Sequence, residues 1–464
     1  MVAINAQPRA RSPAIRRARS RGGRSRTSHP IGRDASSAAV GGARAAAVLI
    51  PEDLQTGGPA GTLSAMTERP LRWLFFYDCI YPESVGGVEH RNHELARELG
   101  RLGHEVVLSG WAEAPGAPHT NVRVEPVARA SRHYLARGRR SGIEALTLAS
   151  QVRRIPLDGI DIVETANIPY LHLPLLARRC RKRRIPLLVT WHEHWGRYWR
   201  VHRPPGRLGP GMWRFYALCE QLSLRFGTQA VAVSRLTADR VSRVRGETVD
   251  VIPNGIPFER IRALAAESDA NAPPLVYAGR LIPEKRIDLL LDATARLAAT
   301  DTGRRLVTER GALLRIIGGG PAEHDIRARI DRENLAAIVD FAGRLPENED
   351  VWRAVAGAAL AVQPSAREGF GLFPLEAMAA GVPVVHCRSP NSAVSELVRD
   401  GREGWTVEPD AGELARLLER LLGAPREIAA ASRAALERAA GYDWRQVADK
   451  VIETGTKLIR RERA

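Results

Sequence analysis

The chain is poor in cysteine and lysine and has no long apolar segment. Its 464 residues include only four cysteines, Cys79, Cys180, Cys219 and Cys387, and no two of them form a CxxC pair. This spacing indicates neither a zinc site nor a disulfide framework. No window approaches the roughly 20 apolar residues that cross a bilayer. The sequence therefore favours a cytoplasmic protein, free in solution or peripheral at the inner face of the membrane.

Basic residues exceed acidic ones, and nearly all of them are arginine. Lys and Arg together number 69 and Asp and Glu 52, which gives a formal net charge of +17. Only four of the basic residues are lysines. Because arginine is the default cation of this chain, a lysine in a functional loop is informative, since an ammonium and a guanidinium are not interchangeable at a tight anion site.

Residues 1–65 carry a large share of this charge. They hold ten arginines against three acidic residues and show no hydrophobic periodicity, so we expect them to be disordered. Their composition resembles an organellar transit peptide or a nucleic-acid-binding arm. It also fits translation upstream of the true start, outside the native chain. We favour this third interpretation because an apolar strand begins within five residues of Met66.

From Leu71 onward the chain repeats one unit, in which a short apolar run precedes a loop and a stretch with helical spacing. The first series of predicted strands is RWLFFYD, EVVLSGW, DIVET, PLLVTWHE, QAVAVS and DVIPN. Polar, Ala-rich sequence separates it from a second series, PLVYAGR, LLRIIGGG, VDFAGRL, LAVQPS, PVVHC and WTVE. Ser234 is placed to cap the helix that follows QAVAVS.

Alternating strands and helices with short links imply parallel strands and right-handed crossovers. We predict an α/β fold of two doubly wound, Rossmann-like domains with a cleft between them. The first domain spans 66–258, the second spans 274–440, and 441–464 forms a terminal helix. Ligands of such sheets bind beyond the carboxyl ends of the strands, so we look for functional residues in the loops there.

The segment REGFGLFPLEAMAAG, residues 367–381, is the most informative of these loops. Gly369 and Gly371 permit a close backbone approach, and the helix that follows presents free N–H groups and a positive dipole end, which suit a phosphate or diphosphate. Glu368 and Glu376 flank the same turn, and carboxylates accept hydrogen bonds from sugar hydroxyls. The alternative is an ordinary turn with Glu376 on a solvated helix face.

Two basic residues lie at a second strand end, in YAGRLIPEKRIDLLLDA. Arg280 and Lys285 could together hold a diphosphate and stabilise its charge as it leaves. Taken alone, such a pair is as often a surface feature. The turn Gly318-Gly319-Gly320 is a weaker signal, supported only by its place after the strand LLRII.

The first half of the chain offers two further loops. Gly86 and Gly87 precede a helix and could cradle a phosphate or an acceptor. In WHEHWGRYW, His192 and His194 could share a metal, but the sequence offers no third ligand. A polar, aromatic loop rim is the more ordinary interpretation, and its Trp and Tyr side chains would suit stacking on a sugar ring.

Eight motifs in order resemble one known family, the retaining glycosyltransferases of family 4, which have the GT-B fold. The motifs are GGVEH, the His of PLLVTWH, VAVSRLTADRV, VIPNGI, YAGRLIPEKRIDLLLDA, RIIGGGP, EGFGLFPLEAMAAGVPVV and EGWTVEPDAGELARLLERLL. The resemblance covers about residues 71–450. It implies an acceptor-binding first domain, a nucleotide-sugar-binding second domain, and a last helix that crosses back to the first domain.

EGFGLFPLE resembles the family's E-x7-E motif. The resemblance implies that Glu368 contacts donor-sugar hydroxyls and that Glu376 contacts the nucleotide ribose. It implies that the N–H groups of Phe370, Gly371 and Leu372 contact the diphosphate or the sugar.

The other motifs imply further roles around the same donor. Arg280 and Lys285 match the basic pair on the donor diphosphate, and Gly319 belongs to the glycine turn of the donor site. His192 matches the histidine that lies against the transferring sugar, and Gly87 matches the loop that closes over phosphate and acceptor. Catalysis would depend on His192, Glu368, Arg280 and Lys285.

The resemblance implies transfer of a sugar from a UDP- or GDP-sugar to a glycan, glycolipid or small-molecule acceptor with retention of configuration. The departing diphosphate would help to deprotonate an acceptor that attacks from the same face. No Asp-x-Asp triplet is present to hold a metal, so we expect neither a metal nor another cofactor. The aromatic WHEHWGRYW loop departs from the family pattern, as does the basic end LIRRERA, and acceptor specificity cannot be carried over.

Two other functions remain open at this stage. A nucleotide-sugar 2-epimerase would share the architecture and the donor but would need no acceptor. A nucleic-acid-binding protein would fit the charge, but much of the excess lies in 1–65 and no nucleic-acid module is apparent, so we expect no nucleic-acid partner. The run RRCRKRR, residues 178–184, is either a solvated helix end or a contact with anionic lipid headgroups.

Overall fold

The computed structural model describes residues 69–82, 86–129, 142–200, 209–269 and 271–463. The predicted disordered segment 1–65 and the proposed start at Met66 lie outside these residues. Within the described residues, no helix is both long and apolar enough to cross a membrane.

The first of two β-sheets has eight strands in the order β3-β4-β2-β1-β5-β6-β7-β8. The edge strand β3 is antiparallel to β4, and the other pairs are parallel. Seven of the eight residues of β1 are buried, as expected for a central strand covered on both faces. The strands are β1 (Arg72–Cys79), β2 (Glu105–Trp111), β3 (Gly116–His119), β4 (Val122–Ala128), β5 (Ile162–Ala166), β6 (Leu187–Trp191), β7 (Gln229–Ala232) and β8 (Asp250–Val251).

The second sheet has six strands, all parallel, in the order β11-β10-β9-β12-β13-β14. In both sheets the strand order reverses beside the first strand of the domain, which is where an open α/β sheet forms its ligand crevice. The strands are β9 (Leu275–Ala278), β10 (Leu314–Ile317), β11 (Val339–Gly343), β12 (Leu360–Gln363), β13 (Val384–Cys387) and β14 (Gly404–Val407).

Helices connect the strands and cover both faces of each sheet. Those of the first half are α1 (Gly87–Arg101), α2 (Gly142–Gln151), α3 (Leu173–Lys182), α4 (Gly209–Ser223), α5 (Arg235–Arg245) and α6 (Phe258–Ala265). Those of the second half are α7 (Ile287–Ala298), α8 (Asp301–Arg310), α9 (Glu323–Arg332), α10 (Asn348–Ala356), α11 (Leu372–Ala379), α12 (Val394–Leu397), α13 (Ala411–Leu422), α14 (Pro425–Ala440) and α15 (Trp444–Arg463). The Ser234 hydroxyl accepts a hydrogen bond from the Thr237 N–H, which confirms the predicted cap of α5.

The last helix, α15, packs against the first sheet. Trp444, Val447 and Val451 lie in one apolar cluster with Trp73 of β1. A Cβ atom at Gly455 would lie 2.3 Å from the Trp73 ring, so glycine is what allows the helix to approach the strand. The end of the chain is thereby joined to the domain in which the fold begins.

A second contact between the two halves lies at the start of α5. The Glu396 carboxylate accepts hydrogen bonds of 2.7 Å from the backbone N–H groups of Arg235 and Leu236. A negative charge at a helix N-terminus is favoured by the helix dipole and by the free N–H groups. A carboxylate of the second domain therefore holds a helix of the first.

The prediction of two Rossmann-like α/β domains is confirmed, and all twelve predicted strands are present. The twelve predicted strands pair in parallel, as expected, and the antiparallel edge strand β3 is an addition to them. Both β3 and β4 were absent from the predicted set. Their sequences, GAPH and VRVEPVA, contain proline and lack a continuous apolar run, so they carry a weak strand signal.

Candidate active site in the cleft between the sheets

A cavity of about 1510 Å³ lies between the two domains. Its walls come from the loops that follow β1, β5, β6 and β8 in the first domain and β9, β10, β11 and β12 in the second. All ten positions predicted from sequence as site residues line it, namely Gly87, His192, Arg280, Lys285, Gly319, Glu368, Phe370, Gly371, Leu372 and Glu376. Residues spread over almost three hundred positions are thus brought to one place.

Two helix N-termini meet across the cavity. Helix α1 begins at Gly87, and α11 begins at Leu372, directly after Gly371, whose φ of 108° is one that glycine readily adopts. A Cβ atom added at Gly87 would lie 3.7 Å from the Leu372 side chain, so the two helix starts are neighbours. Both direct positive dipole ends toward this part of the cavity, which suits an anionic ligand, and the carboxylate of Glu89 lies at the start of α1.

The predicted basic and acidic groups of the second domain contact each other. Lys285 forms an ion pair with the carboxylate of Glu368, and the side-chain amide of Gln363 donates to the same carboxylate oxygen. Both charged side chains are largely buried. Each would therefore have to exchange a protein partner for a ligand group when the cavity fills.

The glycines near Arg280 are required by backbone packing. A Cβ atom at Gly318 would lie 1.9 Å from the carbonyl oxygen of Gly279, and one at Gly320 would lie 2.5 Å from that of Leu281. Only glycine lets these two strand-end loops come so close. The loops that carry Arg280 and Gly319 thereby form one continuous wall of the cavity.

Glu376 lies within the first turns of α11 and accepts a hydrogen bond of 3.1 Å from the indole N–H of Trp352. Burial disfavours the charged carboxylate and raises the pKa of Glu376 to about 7, although the Trp352 hydrogen bond acts in the opposite direction. The carboxyl group can therefore donate as well as accept a hydrogen bond near neutral pH.

His192 follows β6 and touches the second domain. A Cβ atom at Gly369 would lie 2.3 Å from the backbone carbonyl oxygen of His192, so glycine permits the two loops to meet. The two histidines of the HxH pair separate: His192 lines the cavity, whereas His194 lies buried with its Nε2 atom 3.6 Å from the Glu220 carboxylate. Among the residues that the structure describes, no group of three or more His, Cys, Asp or Glu side chains is arranged to hold a metal ion.

An arginine that the sequence interpretation passed over joins the two walls. Arg367 precedes Glu368 and forms an ion pair with Glu193, the residue after His192. Its guanidinium also lies 4.0 Å from the ring centroid of Trp195 and 4.4 Å from that of Tyr198. These contacts suit a weakly hydrated, planar cation beside aromatic faces. The ion pair therefore fixes the loop that carries His192 to the loop that carries Glu368, through the residues next to these two.

Stacked rings form the first-domain wall. Trp195 and Trp199 stack with centroids 4.5 Å apart, and Trp199 stacks on Tyr216 at 5.3 Å. All three line the cavity. The aromatic loop predicted from WHEHWGRYW is thus extended by a residue of α4.

One buried carboxylate organises this wall. Glu220, fully buried on α4, accepts hydrogen bonds from the backbone N–H groups of Trp195 and Gly196 at 2.9 and 2.7 Å. It also accepts from the Trp199 indole at 3.3 Å and the Tyr170 hydroxyl at 3.2 Å. Its place among apolar residues in the last turn of α4 was the one sequence signal for this role.

The architecture, two Rossmann-like sheets with one cavity between them, is the GT-B fold. Among solved structures, the sucrose-phosphate synthase of Thermosynechococcus elongatus is similar, with a TM-score of 0.67 over 85% of this chain and 100% of that chain at 19% identity.

Family models match both halves. The model described as Glycosyltransferase Family 4 matches residues 85–260, and the model described as Glycosyl transferases group 1 matches residues 264–440. The two matched ranges contain all ten predicted site residues. The chain belongs to the group 1 glycosyltransferases of family 4, which confirms the resemblance drawn from its motifs.

Two relatives define how far this similarity extends. A D-inositol 3-phosphate glycosyltransferase of Catenulispora acidiphila is 33% identical over 231 residues, which is 47% of this chain and 52% of the relative. A GDP-mannose-dependent alpha-(1-6)-phosphatidylinositol dimannoside mannosyltransferase of Mycobacterium tuberculosis is 26% identical over 389 residues, 78% of this chain and 92% of the relative. The chain thus spans about half the length of the first relative and most of the second.

Proposed function

We propose that the chain transfers a sugar from a nucleotide-sugar donor, a UDP- or GDP-sugar, to a glycan, glycolipid or small-molecule acceptor with retention of anomeric configuration. The observation that carries the proposal is the convergence of two helix N-termini, a cationic pair and two carboxyl groups on one interdomain cavity. The name of the mycobacterial relative, which specifies GDP-mannose, supports a nucleotide-sugar donor.

The donor diphosphate would lie between the starts of α1 and α11. In this position the N–H groups of Phe370, Gly371 and Leu372 can donate to its oxygens, and Gly87 leaves room for it. Arg280 and Lys285 would add two positive charges. Preorganised charges and dipoles of this kind stabilise a leaving group because they need no reorganisation as its charge develops.

Glu368 and Glu376 would hold the two ends of the donor. Glu376 suits the ribose hydroxyls, since its carboxyl group can both donate and accept near neutral pH. Lys285 would leave Glu368 for the diphosphate, and the freed carboxylate would accept from hydroxyls of the transferring sugar. Binding of the donor would thereby replace the internal ion pair by two ligand contacts.

The chemical step would exchange one bond of the anomeric carbon for another on the same face. The bond to the diphosphate oxygen breaks and its electron pair stays on that oxygen. The acceptor oxygen bonds to the anomeric carbon, and its proton passes to the diphosphate. The transferring sugar would have oxocarbenium-like character in the transition state, and His192 would lie beside it. The 2-epimerase alternative has no support in the relatives reported above.

A nucleotide-sugar screen tests the proposal. UDP-, GDP- and ADP-sugars are compared for their effect on the melting temperature, and a ligand at 100 times its Kd should stabilise the chain by about 2.7 kcal/mol. Transfer with the stabilising donor, followed by NMR of the new linkage, reports the anomeric configuration. Absence of stabilisation by any nucleotide sugar would overturn the donor assignment, and an inverted product would overturn retention alone.

A further inference from the structure

The helices on one face of the first sheet carry most of the exposed large apolar side chains of the described residues. Helices α2, α3 and α5 bury residues such as Leu148, Leu176 and Val241 in the cluster on that face. Helix α4 connects β6 to β7 by the same kind of crossover and so lies in the same layer. The exposed side chains of this layer are Leu146, Leu175, Phe215, Leu218, Leu222 and Val244.

Helix α4 has an apolar stripe on its outer side. Phe215, Leu218 and Leu222 follow each other at helical spacing and are 50, 55 and 42% exposed. Arg214 of α4 and Arg225, two residues past the end of α4, are also exposed. A contiguous set of exposed apolar side chains beside arginines suits contact with a membrane surface.

The surface around this stripe is basic and has no exposed acid on α3 or α4. The run RRCRKRR, residues 178–184, ends α3 and continues past it, and Arg178, Arg181 and Lys182 are exposed. The single carboxylate on these two helices is Glu220, which is fully buried. The exposed charged side chains of α3 and α4 are therefore all basic and complementary to an anionic surface, while Arg183 of the run pairs with the exposed Asp158 and the neighbouring α5 carries the exposed Asp239.

The stripe is continuous with the aromatic wall of the cavity. Phe215 lies against Tyr216 with ring centroids 5.9 Å apart, and Tyr216 stacks on Trp199 inside the cavity. A row of rings thus leads from the cleft to the exposed face of α4. An amphiphile could place a polar head in the cleft and its apolar part along these rings.

The same wall offers a polar contact for such a head. Asn167, at the end of β5, lines the cavity and is fully buried, and neither its Nδ2 nor its Oδ1 atom has a hydrogen-bond partner. A buried amide without partners is costly unless a ligand satisfies it. Hydroxyl groups of a sugar or cyclitol can donate to one atom and accept from the other.

We propose that the outer face of α3 and α4 docks on an anionic lipid surface and that the acceptor is a lipid-linked polyol taken from that surface. The proposal rests on the proposed function for its account of the acceptor. The docking itself does not, because it depends on surface residues away from the donor site. If this face instead bound a soluble protein or a second copy of the chain, the chain would not bind lipid vesicles.

The experiment is co-sedimentation of the full chain with phosphatidylcholine vesicles that contain or lack phosphatidylglycerol. The wild type should bind the anionic vesicles, and binding should weaken as salt rises. Replacing Phe215, Leu218 and Leu222 together by Ser should weaken binding about tenfold or more, since buried apolar area is lost. Arg178→Ser with Arg181→Ser should weaken it several-fold. Leu102→Ser is the matched control, because Leu102 is exposed beyond α1 on the opposite face of the sheet.

The outcomes separate docking from catalysis. Equal sedimentation of the wild type and the triple variant, or no binding by the wild type, would overturn the proposal. If the triple variant has a lowered melting temperature, Leu218→Ser alone is used instead. We expect this single variant to bind anionic vesicles about threefold more weakly. Retained stabilisation by a nucleoside diphosphate shows that the donor site is intact, so a failure of docking leaves the proposed function standing. Transfer to a water-soluble sugar as efficient as transfer to its lipid-linked form would overturn the acceptor assignment.

Discussion

The second domain contributes short, glycine-containing loops to the cleft, whereas the first domain contributes a wall of packed rings. On the second-domain side, backbone atoms approach each other so closely that Gly318 and Gly320 have no room for a Cβ atom. On the first-domain side, Trp195, Trp199 and Tyr216 stack around one buried carboxylate, that of Glu220. The second-domain wall offers backbone N–H groups and charge, and the first-domain wall offers aromatic faces beside the start of α1.

Because of this difference, the two walls can recognise different chemical groups of a ligand. Backbone N–H groups and cations recognise phosphate through its charge and geometry, irrespective of the sugar attached to it. Stacked rings recognise shape and apolar area, and they change with each side chain. In the proposed function, the second-domain wall would therefore select the donor class, and the first-domain wall would select the individual acceptor.

The largest expected effect is on the second-domain wall. Lys285→Ala should lower kcat/KM about 100-fold or more, because in the proposed function it removes the positive side chain that stabilises the leaving diphosphate. Steady-state kinetics with the donor found in the screen measures this loss. Lys457→Ala, an exposed lysine paired with Glu453 on α15, is the matched control and should keep wild-type activity. Full activity of Lys285→Ala would remove this lysine from the site.

A smaller effect is expected on the first-domain wall, in stability. Glu220→Gln keeps the shape of the side chain. The new amide NH2 group would face N–H donors that in the wild type donate to the Glu220 carboxylate. We expect the free energy of unfolding to fall by about 2 kcal/mol, as for loss of hydrogen bonds to a buried charge. Urea denaturation checks this value. Glu453→Gln, at an exposed ion pair, should change the free energy of unfolding by less than about 0.5 kcal/mol. Equal stability of the two variants would show that Glu220 does not organise the wall.

The smallest effect is a pH dependence. Burial raises the pKa of Glu376 to about 7, so the folded chain binds this proton more tightly than the unfolded chain does. The contribution to stability is complete below the ordinary pKa of the carboxyl group, about 4.5, and is lost as pH rises through 7. Between pH 8 and pH 6 the wild type should gain about 1 kcal/mol relative to Glu376→Gln. If the free energies of unfolding of the two proteins differ by the same amount at every pH, the raised pKa of Glu376 is contradicted.

The sequence was sufficient for much of the fold and for one side of the cleft. Twelve strands were recognisable because each is a short apolar run, whereas β3 and β4 are interrupted by proline. The loops around Arg280 and Gly371 were recognisable because close backbone approach requires glycine at fixed positions. The roles assigned to the residues of those loops stay predictions until kinetics tests them.

The aromatic wall could not be assembled from sequence, because its contacts join distant segments. Arg367 and Glu193 are 174 residues apart, and nothing near either residue indicates the other. Glu220 contacts a loop about 25 residues before it, through backbone N–H groups that leave no motif. Asn167 is a polar residue at a strand end whose lack of partners appears only when its neighbours are in place.

The scarcity of lysine also makes the cleft chemically addressable. Lys285 is the single amine among the residues that line the cavity, and its side chain is 18% exposed. The other three lysines, Lys182, Lys450 and Lys457, lie exposed on helices. An amine-selective reagent would therefore label the surface at three side chains and the cleft at one, so the modification of a single peptide reports whether the cleft is occupied.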